Sequence, residues 1–194
     1  MKGKCFSACN RGQRRKSDFY QTPSSMTLQL LQTGIFNKYK NTEPRILEPC
    51  SGGGAISSIL CDFFDVLIYA ADIKNGVDYL KSSLGKYDLI ITNPPFSLAK
   101  EFIIKAKQEA RKVAMLLPLS YLHGQERHEL NIFKNLKYVF VFTRYPMLSE
   151  KVRKDGKYKT GMIAYAWYVW DMVWTAEPVI RWIDNNKYVL RRKK

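Results

Sequence analysis

Apolar residues in this chain fall into short runs separated by longer stretches where they recur at helical spacing. The runs Arg45–Glu48, Asp65–Ala71, Leu89–Ile91, Val113–Leu117, Tyr138–Phe142 and Met162–Trp170 read as strands, most of them apolar enough to be buried on both faces. Between them the spacing predicts helices over about 25–35, 55–63, 98–111 and 120–135. Thr22-Pro23 is a turn, with Ser24 or Ser25 placed to cap the first helix, which ends at Gly34. Ser97 is the expected cap of the long helix, and Asp78 the expected cap of a short one. After the last strand comes a coda, Pro178-Val179-Ile180-Arg181-Trp182-Ile183, and a basic tail. Strands alternating with helices, then two strands joined by a loop, predict an α/β fold. It is a doubly wound, mostly parallel sheet with one late antiparallel strand. Residues 1–17 lack apolar periodicity and read as a basic, flexible arm, with residues 18–194 forming a single domain.

One strand ends unusually. Tyr87-Asp88-Leu89-Ile90-Ile91-Thr92 runs into Asn93-Pro94-Pro95-Phe96. Neither proline has an N–H for a sheet, so the strand stops there, and the residue before each proline is pushed toward extended geometry. Asn93 therefore sits on a stiff corner at a strand's carboxyl end, where open α/β sheets bind ligands. An amide oxygen and a proline carbonyl can each accept one N–H of an exocyclic nucleobase amine. That draws the nitrogen toward tetrahedral geometry and frees its lone pair, while the Phe96 ring can stack on the base. A proline-terminated strand with a capping Asn is the plainer alternative for these four residues.

The other chemistry-bearing loop is Pro49-Cys50-Ser51-Gly52-Gly53-Gly54, between a strand and a helix. Glycines there let the backbone approach a ligand, and the helix N-terminus offers free N–H groups. It is not a phosphate loop, since no Lys-Ser/Thr follows the glycines and no G-x-G-x-x-G is present. Asp72, at the end of the next strand, suits bidentate bonding to ribose hydroxyls, or is an ordinary loop aspartate.

Charge adds a partner. The net charge is +15, and three segments carry it. Residues 1–16 hold six basic residues and no acid, residues 144–159 six against two, and residues 181–194 six against one. Basic segments around a neutral body suggest a polyanion, although chain ends and loops also tolerate lysine for no reason of binding. The candidate phosphate contacts are Arg14, Arg15 and Lys16 in the arm and Lys151, Arg153, Lys154, Lys157 and Lys159 in the 144–160 loop. Cys5, Cys9, Cys50 and Cys61, with His123 and His128, show no zinc-site spacing, so no metal is expected. No apolar run spans a bilayer and the basic N-terminus has no apolar core for a secretory signal, so reduced cysteines in a cytoplasmic protein are expected.

In combination these motifs resemble the S-adenosylmethionine-dependent amino-methyltransferases, most closely the DNA adenine-N6 methyltransferases, over roughly residues 18–170. The resemblance implies a class I methyltransferase fold, which is Rossmann-like, with S-adenosylmethionine as donor and S-adenosylhomocysteine as product. In the family's acid-Pro-x-x-Gly-x-Gly cofactor loop, the matching residues are Glu48, Pro49, Gly52 and Gly54. Tyr20, Thr22 and Pro23 match the segment that holds the methionine part. Asp72 matches the ribose acid, followed by Ile73, and Asp78-Tyr79-Leu80 matches the acid and hydrophobic pair near the adenine. Asn93 to Phe96 match the catalytic tetrapeptide without departure, with Asn93 also beside the cofactor.

Two departures matter. Only about fifteen residues separate Asp72 from Tyr87, so the strand usually found there is short or missing. There is also no target-recognition segment of the kind that family members reading long sites carry, which implies a short or relaxed site or a partner's help. The expected substrate is adenine in DNA. The same chemistry on an RNA adenine or guanine amine, on a protein glutamine, or a basic nucleic-acid-binding module without activity are the alternatives.

Overall fold

The computed structural model describes residues 22–143 and 163–184. The arm, the 144–160 loop and the tail beyond Asp184 lie outside the described residues. So do Tyr20 and all eight candidate phosphate contacts.

Among the described residues, seven strands form one sheet: β1 (Ile46–Glu48), β2 (Tyr69–Ala70), β3 (Tyr87–Thr92), β4 (Ala110–Pro118), β5 (Leu136–Phe142), β6 (Tyr165–Asp171) and β7 (Val179–Ile183). Their order is β2-β1-β3-β4-β6-β5-β7. Every neighbouring pair is parallel except those made by β6, which runs antiparallel between β4 and β5. The expected late antiparallel strand is this one.

The α-helices are α1 (Ser24–Gln32), α2 (Ala55–Phe64), α3 (Ala99–Glu109) and α4 (Gln125–Glu129). Alternation along the central strands divides the core into two layers. Ile46, Leu89, Ile91, Ala114 and Leu116 pack with Met26 and Leu30 of α1 and Ile56 and Leu60 of α2. Leu47, Ile90, Val113, Met115 and Leu117 pack with Phe102, Ile103 and Ala106 of α3. Helices on both faces are why β3 and β4 read as unbroken apolar runs.

The centre of the sheet is pinned through β6. Trp167 Nε1 donates to the Met26 carbonyl of α1 at 3.0 Å, and Trp170 Nε1 donates to the Ile132 carbonyl on the other face at 2.9 Å. Both rings are fully buried, so each indole N–H needs such a partner.

Several expectations are corrected. The strand read over 65–71 is only Tyr69–Ala70, because it lies at the sheet's margin, with Leu67 88% and Tyr69 52% exposed. Neither serine caps α1: Pro23 holds the cap position, and Ser24 is the first helical residue. Nor does Ser97 cap α3, because residues Phe96–Leu98 form a separate 3₁₀ turn ahead of it. Asp78 starts no helix. Its Oδ1 accepts from Leu80 N at 3.1 Å, closing a turn instead. The helical stretch 120–135 is reduced to a 3₁₀ turn at Leu119–Leu122 and the short α4. The coda contains strand β7, paired in parallel with β5.

Candidate active site

Three chain crossings meet at the carboxyl ends of the strands. β1 ends at Glu48 and enters the glycine loop, β2 leads to Asp72, and β3 leads to Asn93. The loop is closed against β2 by backbone bonds, Ala71 N to the Glu48 carbonyl at 2.9 Å and Ser51 N to the Ala71 carbonyl at 3.0 Å. It turns into α2 through Gly54, whose φ of 77° favours glycine.

Asp72 secures this arrangement. It is buried, and its Oδ2 accepts from Gly52 N at 2.7 Å while Oδ1 accepts from Lys74 N at 2.8 Å. Each carboxylate oxygen keeps a second lone pair for a ligand hydroxyl. The side chain read from the sequence as a ribose ligand is, in the fold, the clasp of the glycine loop.

Between these crossings lies a cavity of about 380 Å³, within the range of small-molecule sites. Of the residues read from the sequence as cofactor contacts, Thr22, Glu48, Pro49, Asp72, Ile73, Asp78, Tyr79 and Asn93 line it. Gly52, Gly54 and Pro23 do not. The two glycines shape the loop, and it is Gly53 that faces the cavity, with no atom within 4 Å of where a Cβ would stand. Side chains that the sequence did not single out complete the lining, among them Cys50, Lys74, Lys81, Leu98 and Phe102. Leu98 and Phe102 are four residues apart in the segment that follows the proline corner, a spacing that also reads as core.

Burial sets the electrostatics. Glu48 is 1% exposed, and desolvation pushes its carboxyl up to about 8, opposed by a hydrogen bond from the Ser57 hydroxyl. Burial likewise pushes the Cys50 thiol up to about 12, with the Asp72 charge adding to it, so it is no nucleophile at neutral pH. Asp78 is held below the usual carboxylate range, chiefly by its hydrogen bond from Lys81, whose Nζ stands 3.1 Å from Oδ2. Tyr79 is buried against the Phe102 ring, with centroids 5.2 Å apart.

At the far wall is the proline corner. Asn93 and Pro95 line the cavity, whereas Pro94 and Phe96 stand beside it. Asn93 is half-buried, and its Nδ2 donates to Thr22 Oγ1 at 3.0 Å. Its Oδ1 is sealed from solvent, so an outside group reaches it only after a local opening. The Phe96 ring packs on Tyr165, with centroids 5.7 Å apart and planes tilted by 32°. The chemistry of this donor set fits a hydroxyl-bearing ligand with apolar parts: three carboxyl groups, Glu48, Asp72 and Asp78, an open glycine floor, and apolar walls at Ile73, Leu98 and Phe102.

No protein-family model and no curated protein matches this chain. Solved structures do match. One from Listeria monocytogenes, assigned as a class I S-adenosylmethionine-dependent methyltransferase, superposes with a TM-score of 0.59 at 11% identity, over 87% of this chain and 67% of that one. The methyltransferase subunit of a type I restriction-modification system from Streptococcus thermophilus gives 0.58 at 11% identity, over 84% and 47%. The type IIG restriction endonuclease BpuSI gives 0.58 at 12% identity, over 80% and 26%. This chain thus spans about two thirds, under half and about a quarter of those three. The seven-stranded α/β sheet is therefore the Rossmann-like fold of class I methyltransferases. Among the described residues, no helix is long and apolar enough to cross a membrane.

Proposed function

We propose that this chain is an enzyme that methylates the N6 amine of adenine in DNA, with S-adenosylmethionine as donor. The observation that carries the reading is the opening of Asn93 and Pro95 onto the same cavity as the glycine loop and Asp72. A rigid amide corner for an amine and a polar cradle for a nucleoside share one wall.

Each residue has a task. Asp72 binds the ribose hydroxyls while clasping the loop, and Gly53 leaves room for the ligand to lie on the backbone. Ile73, Leu98 and Phe102 enclose its adenine, with Asp78 at the edge. Glu48 and Pro49 shape the end nearest β1. The bound cofactor supplies a methyl group on a sulfonium centre. Once a local opening exposes it, Asn93 Oδ1, with the Pro94 carbonyl, accepts the two N–H groups of the target amine and so localises the amine's lone pair. The corner's contribution is positioning, with the proton lost to water after transfer. The target adenine leaves the duplex to reach the corner, and Phe96 contacts its face. Arg14, Arg15, Lys16 and the lysines and arginine of residues 151–159 hold phosphates, which supply affinity without reading sequence.

Two of the three solved structures named above carry restriction or restriction-modification in their descriptions, which supports DNA as the substrate. The test is incubation of purified protein with methyl-labelled cofactor and separate DNA and RNA pools, followed by nucleoside mass spectrometry. The reading expects N6-methyladenine in DNA. Label confined to RNA would refute the substrate, and label in neither pool would refute the activity.

A further inference from the structure

β7 is the last strand on its side of the sheet, and one of its faces stays open. Trp182 pairs in register with Val141 and Ile180 with Val139, and both valines belong to the layer that packs on α3. Trp182 and Ile180 continue that layer past β5, where they are 70% and 50% exposed. The strand itself is well held. Ile183 is buried on the other face with Phe140 and Phe142, and its carbonyl accepts from Thr143 N at 3.0 Å and Thr143 Oγ1 at 3.2 Å. The Arg181 guanidinium lies over the Tyr138 ring, 4.8 Å from its centroid. We propose that Trp182 is a stacking platform for an unpaired base of the DNA, about five or six nucleotides from the target adenine. The proposal rests on the nucleic-acid reading given above and adds that the substrate carries an unpaired stretch beside the target.

Topology puts this ring on the substrate's side of the molecule. β6 is antiparallel to both β4 and β5, so β5 and its parallel neighbour β7 run in the direction of β3. Trp182, one residue before the end of β7, therefore lies at the margin where β3 delivers Asn93. β6 runs the other way and begins at this margin with Tyr165, on which Phe96 packs. Four strand spacings separate β3 from β7, about 19 Å at roughly 4.8 Å each. At about 3.4 Å per stacked nucleotide, that distance is about five or six nucleotides.

Charge selects the partner. Residues 181–194 carry six basic residues against one acid. A second copy paired edge to edge on β7 would bring two such segments together, and cations on an edge strand oppose that pairing. A polyanion is attracted instead, and nucleobases offer flat apolar faces to an indole. Sequence-tolerant binding of single strands combines these two parts, basic residues for the backbone and an aromatic ring for a base. In a duplex each base is already covered by its neighbours, so the base that Trp182 takes is unpaired. An indole fixed on an anchored strand loses little freedom when it stacks.

Two substitutions isolate the ring. Trp182→Thr removes it with a residue that suits a strand, and Trp182→Phe keeps a smaller ring. Fluorescence anisotropy of the full-length proteins across a salt series would compare single-stranded DNA, a long blunt duplex, and duplexes with a single-stranded extension at either end. Trp182→Thr is expected to weaken binding to single strands, and to the duplex with the extension of matching polarity, by about 10-fold. Affinity for the blunt duplex, the slope of log Kd against log salt and the melting temperature should stay close to the parent's, because the phosphate contacts remain. Trp182→Phe should recover most of the loss. Parent-like binding of single strands by Trp182→Thr would overturn the assignment. So would equal weakening on the blunt duplex, a Trp182→Phe as impaired as Trp182→Thr, or a parent dimer that Trp182→Thr dissociates in ultracentrifugation. The two levels separate in the parent: if it neither binds nor methylates DNA, the reading of its function fails as well. If it does both and Trp182→Thr binds every DNA as the parent does, only the role of Trp182 fails.

Discussion

Glu48 makes stability depend on pH in an unusual direction. It ends β1 at 1% exposure, and burial raises its carboxyl from an ordinary 4.5 to about 8. Between those values the unfolded chain has released a proton that the folded chain retains. Stability contributed by this group is therefore complete below about 4.5 and falls as pH rises, until the folded form also ionises near 8. A difference of one bound proton gives a slope of about 1.4 kcal/mol per pH unit. Glu48→Gln mimics the protonated acid and still offers an oxygen to the Ser57 hydroxyl. The variant minus parent difference in unfolding free energy should be small near pH 5 and grow to about 3–5 kcal/mol in the variant's favour by pH 8. Urea denaturation of both proteins in half-unit steps over this range measures it, and subtraction removes the titration of every other group. A difference that stays flat with pH, or that favours the parent increasingly as pH rises, would refute the reasoning.

Further outcomes follow from the loop that Glu48 opens. Asp72→Asn replaces an acceptor facing Gly52 N or Lys74 N with a donor. It should cost about 1–3 kcal/mol, read as a melting temperature lower by roughly 2–4 °C for each kcal/mol. It should also weaken S-adenosylmethionine binding in calorimetry, whereas unchanged values in both would remove Asp72 from the clasp. Gly54→Ala meets no atom within 4 Å, so its expected cost of about 1–2 kcal/mol comes from the backbone alone. Gly53→Ala at a φ that is not left-handed should leave the melting temperature close to the parent's. Equal losses for the two would show that φ is not the cause.

What could be read in advance follows from burial. β3 and β4 are covered on both faces, so their apolar runs carried their own evidence. Val66-Leu67-Ile68-Tyr69 has the same letters, but it leads into a two-residue strand at the margin, where apolar side chains stay exposed. β7 needed knowledge of β5 as its neighbour, and five residues ending in a basic tail give no hint of one. Within the site, Asn93, Asp72 and Glu48 were legible because each ends a strand. The bond between Thr22 and Asn93 was not, because it joins the entry to the first helix to the end of the third strand. The clasping role of Asp72 was missed for a related reason: it depends on which backbone N–H groups the loop turns inward.

The claim on which the rest depends is that Asn93 acts on the target amine and not on the folding of the cavity. Asn93→Ala should abolish transfer of labelled methyl from S-adenosylmethionine to DNA while calorimetry shows cofactor binding close to the parent's. Near-normal turnover in that variant, or loss of cofactor binding together with activity, would contradict the account.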